Sequence, residues 1–240
     1  MSLSWRRVRA IFRKELREYR SSGAIVVAMA ILPVVFVIPP LIQIFALPPA
    51  ASTVLRGSDV LLYLLGIPAL VPAALAAYAV AGERQQGTLE PVLTTPIRRE
   101  EFLLGKALAS MIPSLAIAYI VYAAVLVAVR VMAARAIADA LVQLPEILAQ
   151  LVFTPLVAGV SIWIGMLISA RSNDPRTAQQ LGTVAGLPTV AVAALLAYNV
   201  IHPTRAVAIG FGVVLVLLNI VSLRLVAAAL DPERLITGTK

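Results

Sequence analysis

Six apolar runs, each about long enough to cross a membrane, constrain the fold of this 240-residue chain more than any other feature. A bilayer core of about 30 Å needs a helix of roughly 20 apolar residues. With 60% of its residues hydrophobic and 13% charged, the chain has more apolar surface than a soluble fold can hide. We therefore predict an all-α membrane protein with six transmembrane helices. The runs are approximately Ala24–Leu47, Val60–Ala81, Ala107–Val129, Leu148–Ala170, Leu181–Ile201 and Ala206–Leu223.

The distribution of basic residues predicts the side of the membrane that each loop faces. With the N-terminus inside, the cytoplasmic segments hold 16 of the 20 lysine and arginine residues, which indicates an N-in, C-in topology. These segments are residues 1–22, 82–106, 171–180 and 224–240. Because topology accounts for the net charge of +8, nucleic acid is not expected as a partner.

The N-terminal segment "SWRRVRAIFRKELREYRSS" has apolar residues at helical spacing and basic residues on the remaining faces. This pattern predicts an amphipathic helix lying on the cytoplasmic membrane surface. Two roles stay open, a topology anchor or an elbow that touches a partner and moves with the first span. We assign residues 1–22 to this helix, 23–230 to the six-span domain and 231–240 to a cytoplasmic tail.

The six runs contain no Asp, Glu, Lys, Arg or His. Proton-coupled transport normally needs a titratable group within the membrane, so it is not favoured. A sodium site at helices broken by proline stays open, although such prolines more often serve helix packing. Gly182 and Gly186 indicate close helix packing, and most polar side chains in the runs are expected to join helices. These are Gln43, Tyr63, Tyr78, Tyr119, Tyr122, Thr154, Ser161, Asn199, Asn219 and Ser222.

The segments predicted on the extracytoplasmic side of the membrane are short. Residues 130–147 space Ile137, Leu141 and Leu144 for one short surface helix. The chain has no cysteine, a single histidine and no phosphate loop of the GxxxxGK[ST] type. We therefore expect no enzyme activity in this chain and no metal or cofactor bound by it.

The stretch "AGERQQGTLEPVLTTPIRREEFLLGKA" at 81–107 separates two charge-free runs and carries four charges of each sign. The second span is predicted to continue as a helix through "ERQQ" to Gly87. Thr88 then caps a short turn in which Leu89, Val92 and Leu93 face one way. A topology signal needs only basic residues, so balanced charge and an apolar ridge indicate a docking surface.

A second helix is predicted to begin at the end of this stretch. Thr95 followed by Pro96 is typical of a helix start, because proline in the first turn loses no hydrogen bond. Glu100 and Glu101 lie near that start, where the positive end of the helix dipole stabilises negative side chains. The short turn is thus expected to be held between two spans.

The same stretch resembles the signature between the second and third spans of exporter-type, or type-two, ABC transporter permeases. That signature has an acidic residue, "GTLE", "TP", "R-x-E" and "GK" in this order. Pro91 departs from the pattern and is expected to shorten or bend the turn, while "RSNDPRTAQQLG" at 171–182 resembles the family's second cytoplasmic loop. The matching residues are Glu83, Gly87, Thr88, Leu89, Glu90, Thr95, Pro96, Arg98, Arg99, Glu100, Glu101, Gly105 and Lys106.

The resemblance implies a multi-pass permease subunit of an ABC exporter in the cell membrane. It implies two cytoplasmic ABC ATPase subunits and a second permease copy, usually as a homodimer, with ATP and Mg bound by the ATPase. The matching residues then form the ATPase-coupling contact. Two other functions stay open, a sodium-coupled or facilitative secondary transporter and a non-transporting membrane scaffold. The substrate stays open too, because path-lining and lipid-facing surfaces share one apolar composition.

Overall fold

The computed structural model describes residues 4–46, 60–87, 97–172, 174–198, 200 and 204–229. These residues are mostly helical and contain no β-strand. A 3₁₀ segment, Val60–Leu65, leads into the third α-helix. The α-helices are α1 (Trp5–Ser21), α2 (Gly23–Ala46), α3 (Gly66–Gln85), α4 (Arg99–Met132), α5 (Arg135–Leu141), α6 (Leu144–Arg171), α7 (Pro175–Ala197) and α8 (Arg205–Ala229).

Six helical segments are long and apolar enough to cross a membrane, which confirms the predicted all-α fold with six spans. The longest of them has 33 residues. At 1.5 Å per residue it extends about 50 Å, so it projects well beyond the hydrocarbon core. The spans are Ile25–Ala46, Val60–Gln85, Glu100–Met132, Leu144–Arg171, Pro175–Ala197 and Arg205–Ala229.

The second span is the centre of the bundle. Its most apolar window is 94% buried, whereas that of the sixth span is only 11% buried. Helices α2, α4, α6 and α7 all pack against α3. Since lipid covers the outward faces of the other spans, their exposed leucine and valine side chains are the expected membrane-facing surface.

Small residues let α6 and α7 approach this central helix closely. A Cβ atom placed on Gly165 of α6 would lie 2.8 Å from the Ala73 carbonyl oxygen. One placed on Gly186 of α7 would lie 3.0 Å from the Ala69 carbonyl oxygen, and Gly182 faces the Cβ of Ala77 in the same way. The predicted close-packing role of Gly182 and Gly186 is therefore confirmed.

The internal prolines do not break the helices that contain them. Helix α2 runs through Pro33, Pro39 and Pro40, and α4 runs through Pro113. Neighbouring helices make such prolines tolerable in membrane proteins. Continuous helices favour the packing interpretation over a site made from unwound backbone.

One helix begins before its predicted apolar run, and one predicted helix start is wrong. The fifth run is predicted at approximately Leu181–Ile201, and its helix begins earlier, at Pro175, because Asp174 caps it, accepting a 2.9 Å hydrogen bond from the Thr177 N–H. The helix predicted to start at Thr95–Pro96 begins only at Arg99, after non-helical residues 97 and 98. Thr95 and Pro96 themselves lie outside the described residues.

The short helix predicted within residues 130–147 is present as α5, where Ile137 and Leu141 are buried. Leu144 does not belong to it, because α6 has already begun there and the Leu144 side chain is exposed. An exposed ion pair, with 2.6 Å between Arg130 Nη1 and Asp139 Oδ1, joins the end of α4 to α5.

Candidate functional site at the elbow junction

The charged stretch lies where α3 ends and α4 begins, and α1 packs beside both. We call this region the elbow junction and define it by residues 4–19, 79–87 and 97–110. Five of the predicted coupling residues fall outside the described residues and therefore have no structural account. They are Thr88, Leu89, Glu90, Thr95 and Pro96.

Helix α3 ends as predicted, just before Gly87. The Gln86 N–H still bonds the Gly82 carbonyl at 3.0 Å, and Gly87 then adopts a left-handed φ of 67°. Glycine is favoured at such a helix end because it has no Cβ to clash. The chain therefore leaves the membrane span at a defined residue and in a defined direction.

Arg84, one turn before that end, joins α3 to α6. Its guanidinium donates to the carbonyl oxygens of Ser172 at 2.8 Å and Ala170 at 3.1 Å. These carbonyls belong to the C-terminal end of α6, where the helix dipole favours a positive charge. The turn that precedes α7 is thus attached to the charged stretch.

Glu101 fixes the first turn of α4 and attaches α1 to it. Its carboxylate accepts the backbone N–H of Arg98 at 3.2 Å, which helps to satisfy a free helix N-terminus. It also accepts the N–H of Ser4 at 2.8 Å and a 3.3 Å bond from the Arg7 guanidinium. Glu101 is fully buried, so one side chain organises the starts of two helices.

Lys106 is the centre of a buried ion cluster one turn further along α4. Its ammonium donates to Glu15 Oε1 at 2.7 Å, Glu83 Oε1 at 2.8 Å and the Ala79 carbonyl at 2.7 Å. All three donor positions of the ammonium are therefore used. Lys106 has no solvent-exposed area and Glu83 only 4%, so the cluster is held inside the protein.

Lys14 completes the cluster from its outer edge. Its ammonium lies 2.8 Å from Glu83 Oε1 and 3.1 Å from Glu18 Oε1, while the side chain is partly exposed. Burial acts to lower the pKa of Lys14, but its bonds and attraction to Glu83 and its attraction to Glu15 outweigh burial and raise that pKa. Lys14 is therefore positively charged at neutral pH.

For Glu15, the effect of burial on the pKa outweighs the effect of the neighbouring charges. Burial raises the pKa of Glu15, and the ammonium groups of Lys106 and Lys14 oppose that rise. Glu15 and Glu83 thus face the ammonium groups of Lys106 and Lys14 inside the cluster, and Glu18 adds a partly exposed carboxylate at its outer edge. Removing one partner leaves a buried charge without compensation, which is strongly destabilising.

Gly105 makes this arrangement possible, because α1 crosses α4 directly over it. A Cβ on Gly105 would lie 2.7 Å from the Ile11 side chain and 3.2 Å from the Val8 carbonyl oxygen. Both distances are shorter than ordinary contacts. The "GK" pair therefore has two functions in this chain: glycine allows α1 to approach, and lysine binds it. A 3.0 Å hydrogen bond between the Tyr19 and Ser110 hydroxyls adds a third contact.

The described coupling residues divide into two groups. Glu83, Glu101, Gly105 and Lys106 come together and face α1. Glu100 is exposed, Arg98 is partly exposed and Gly87 lies at the tip of α3; nothing is described of the Arg99 side chain.

Sequence reasoning missed the residues of α1 that complete the site, above all Lys14 and Glu15. One signal was available for Glu15. It stands four residues from Ile11 and four from Tyr19, and therefore on the apolar face of an amphipathic helix. A carboxylate on such a face needs a buried partner.

Four buried polar residues lie within two of the spans. Thr154 and Gln150 of α6 and Ser114 and Tyr122 of α4 are all buried. Among the described residues, none of their side-chain polar atoms has a hydrogen-bond partner. By contrast, Asn219 donates to the Leu156 carbonyl at 2.9 Å and joins α8 to α6, as predicted for such residues.

Six apolar spans with an organised charged junction at one end define a multi-pass membrane protein. The sequence matches the family described as ABC-2 family transporter protein over residues 9–237. The chain belongs to this family, and it is a permease subunit of an ABC transporter, as the stretch 81–107 predicted. Permeases of this kind are membrane transport subunits that associate with ABC ATPases. The curated proteins contain no match to the chain.

Proposed function

We propose that this permease is driven by ATP hydrolysis in two separate cytoplasmic ATPase subunits and exports its substrate across the cell membrane. The observation that carries the proposal is the elbow junction. Its buried cluster joins the two helices that flank the turn 88–96 to a third helix, α1, through Lys106, Glu83 and Glu15. A force that a partner applies to residues 88–96 is therefore expected to reach the spans through these helices.

The proposal assigns a different role to each group of residues. Leu89 and Glu90, with Thr88, Thr95 and Pro96, make the contact with the ATPase. Glu83, Glu101 and Lys106 act in that contact as positioning residues, because their side chains bind α1. Gly105 is a positioning residue because it lets α1 approach α4 closely. Gly87, Arg98, Arg99 and Glu100 lie next to the turn at its two ends.

ATP can change the conformation of the spans only through such a contact. A ligand shifts an equilibrium by the difference in its affinity for the two states, and here the ligand binds another subunit. ATP and Mg are therefore bound by the partner, and this chain contributes the segment that contacts the partner and the helices attached to that segment. We further propose a homodimer of permeases with N-in, C-in topology, so that each copy meets one ATPase.

The test is a double substitution in the turn, Leu89→Ala with Glu90→Ala. The detergent-solubilised permease is purified together with the soluble ATPase that accompanies it, and the ATPase turnover is measured with and without the permease. The variant is expected to insert normally and to lose the permease's effect on turnover. Arg130→Ala with Asp139→Ala is the matched control, because it removes two charged side chains at the other end of the bundle.

Two results contradict the proposal. If the turn variant still changes ATPase turnover as the unsubstituted chain does, residues 88–96 are not the contact. If no ATPase accompanies the purified permease and transport proceeds without ATP, a secondary transporter is supported instead. If the purified chain shows no transport and no ATPase accompanies it, a non-transporting membrane scaffold is supported.

A further inference from the structure

One face of α1 carries five arginines and no acidic residue. They are spaced by three or four residues, so they form a continuous stripe along the helix. All five are exposed, and none forms an ion pair with another described residue. We call them the arginine stripe: Arg6, Arg9, Arg13, Arg17 and Arg20.

Charged residues elsewhere on α1 form ion pairs within the protein. Glu15, Glu18 and Lys14 lie on the side of the helix that forms ion pairs at the elbow junction. The acidic residues of α1 are thus used internally. The arginine stripe has no such compensation, and a concentration of unpaired cations on one face indicates an anionic partner.

A groove lies at the end of this stripe, between α1, α2 and α4. It has a volume of about 500 Å³. Arg17 and Arg20 stand at its edge, while Val26 and Met29 of α2 and Pro113 of α4 provide an apolar wall. The groove therefore combines two guanidinium groups with a strip of membrane-spanning surface.

We infer that this groove binds one anionic phospholipid. The phosphate is held by Arg17 and Arg20, since guanidinium groups pair with phosphate oxygens through two parallel hydrogen bonds. An acyl chain lies along Val26, Met29 and Pro113. The remaining arginines of the stripe interact with further anionic headgroups less specifically.

The position of the groove favours a lipid over an acidic protein. Helix α2 begins at Gly23, two residues after α1 ends, and its span begins at Ile25, so Arg20 lies five residues before a span. Val26 is 48% exposed on that span, where only lipid or another membrane protein reaches it. A soluble acidic partner meets the arginines but leaves the apolar wall uncovered.

The experiment uses the full-length permease in detergent. Phosphatidylglycerol, phosphatidylcholine or inorganic phosphate is added, bound lipid is counted by native mass spectrometry, and thermal unfolding is followed. We expect one tightly bound phosphatidylglycerol and a preference over phosphatidylcholine of at least about tenfold, from two arginine contacts. Arg17→Gln with Arg20→Gln is expected to lose that preference.

The matched control is Arg9→Gln with Arg13→Gln, which removes the same charge from the same stripe outside the groove. This control is expected to keep the bound lipid. An equal loss in both double variants overturns the inference, because it indicates diffuse attraction in place of a site. Stabilisation by inorganic phosphate as strong as that by phosphatidylglycerol also overturns it, because no acyl chain is then required.

A third outcome separates lipid from protein. If Arg17→Gln with Arg20→Gln leaves phosphatidylglycerol binding unchanged but reduces co-purification of a soluble ATPase, the stripe contacts a protein and the lipid site is rejected. All these substitutions are at exposed positions, and retained helical circular dichroism checks that the variants fold. The inference does not depend on ATP coupling, so its failure leaves the proposed function untouched.

Discussion

Lys106 of α4 and Glu15 of α1 stand 91 residues apart in the chain, yet 2.7 Å separates Nζ from Oε1 in a site closed to solvent. A buried pair of this kind is weak evidence for extra stability, because desolvation opposes the attraction. It does fix geometry, since neither charge tolerates separation from the other. The position of α1 against α4 is therefore determined by charge as well as by apolar packing.

Lys106→Met tests this ion cluster. The substitution removes the buried ammonium and leaves Glu15 and Glu83 with the partly exposed Lys14, so the free energy of unfolding is expected to fall by about 3–5 kcal/mol. Thermal unfolding in detergent measures the loss. Arg130→Met is the control, because its ion pair is exposed and is expected to contribute about 1 kcal/mol or less. Equal effects of the two substitutions contradict the assigned geometry.

Gly105→Ala tests the close approach of α1. The added methyl group meets Ile11 at 2.7 Å, so α1 has to move, at an expected cost of about 1–3 kcal/mol. Gly210→Ala is the matched control, since nothing lies within 4 Å of a Cβ placed there. It is expected to be neutral or stabilising, because alanine is the better helix former. Proteolysis of the N-terminal segment should become faster only in the first variant.

Thr154→Val tests the buried Thr154 hydroxyl of α6, which has no hydrogen-bond partner among the described residues. A buried polar group without a partner is costly, so an apolar side chain of the same shape is expected to raise the free energy of unfolding by about 1 kcal/mol. Thr183→Val is the control, because the Thr183 hydroxyl already donates to the Gln179 carbonyl at 2.9 Å. Lower stability of Thr154→Val points instead to a partner for this hydroxyl in the membrane.

Asp174 gives a dependence on pH. Hydrogen bonds from the Thr177 N–H and hydroxyl hold the pKa of its carboxyl below the ordinary value of 3.8. The stabilising cap is therefore complete above pH 3.8 and is lost as the pH falls through the lower pKa of the folded state. Asp174→Ala is expected to lower the unfolding temperature at neutral pH, and this effect is expected to shrink as the pH is lowered below 3.8. A difference that persists in acid excludes this explanation.

Much of the fold could be predicted because hydrophobic length is a direct signal of a membrane span. The helix ends were less predictable, since Asp174 caps α7 from a polar segment that was assigned to a loop. The charge balance and residue order of the stretch 81–107 predict a docking surface. Its internal partners were not predictable in the same way, because Lys106 and Glu15 come together only when α1 folds back onto α4.

The bond from Arg84 to the end of α6 has a mechanical consequence. It connects the tip of α3 to the turn that begins α7, while Lys106 and Glu101 connect α4 to α1. The described ends of α3, α4 and α6 are therefore linked by hydrogen bonds to one another and to α1. A displacement of one of these helix ends is expected to move the others with it, so we expect the linked helices to tilt together before any single span bends.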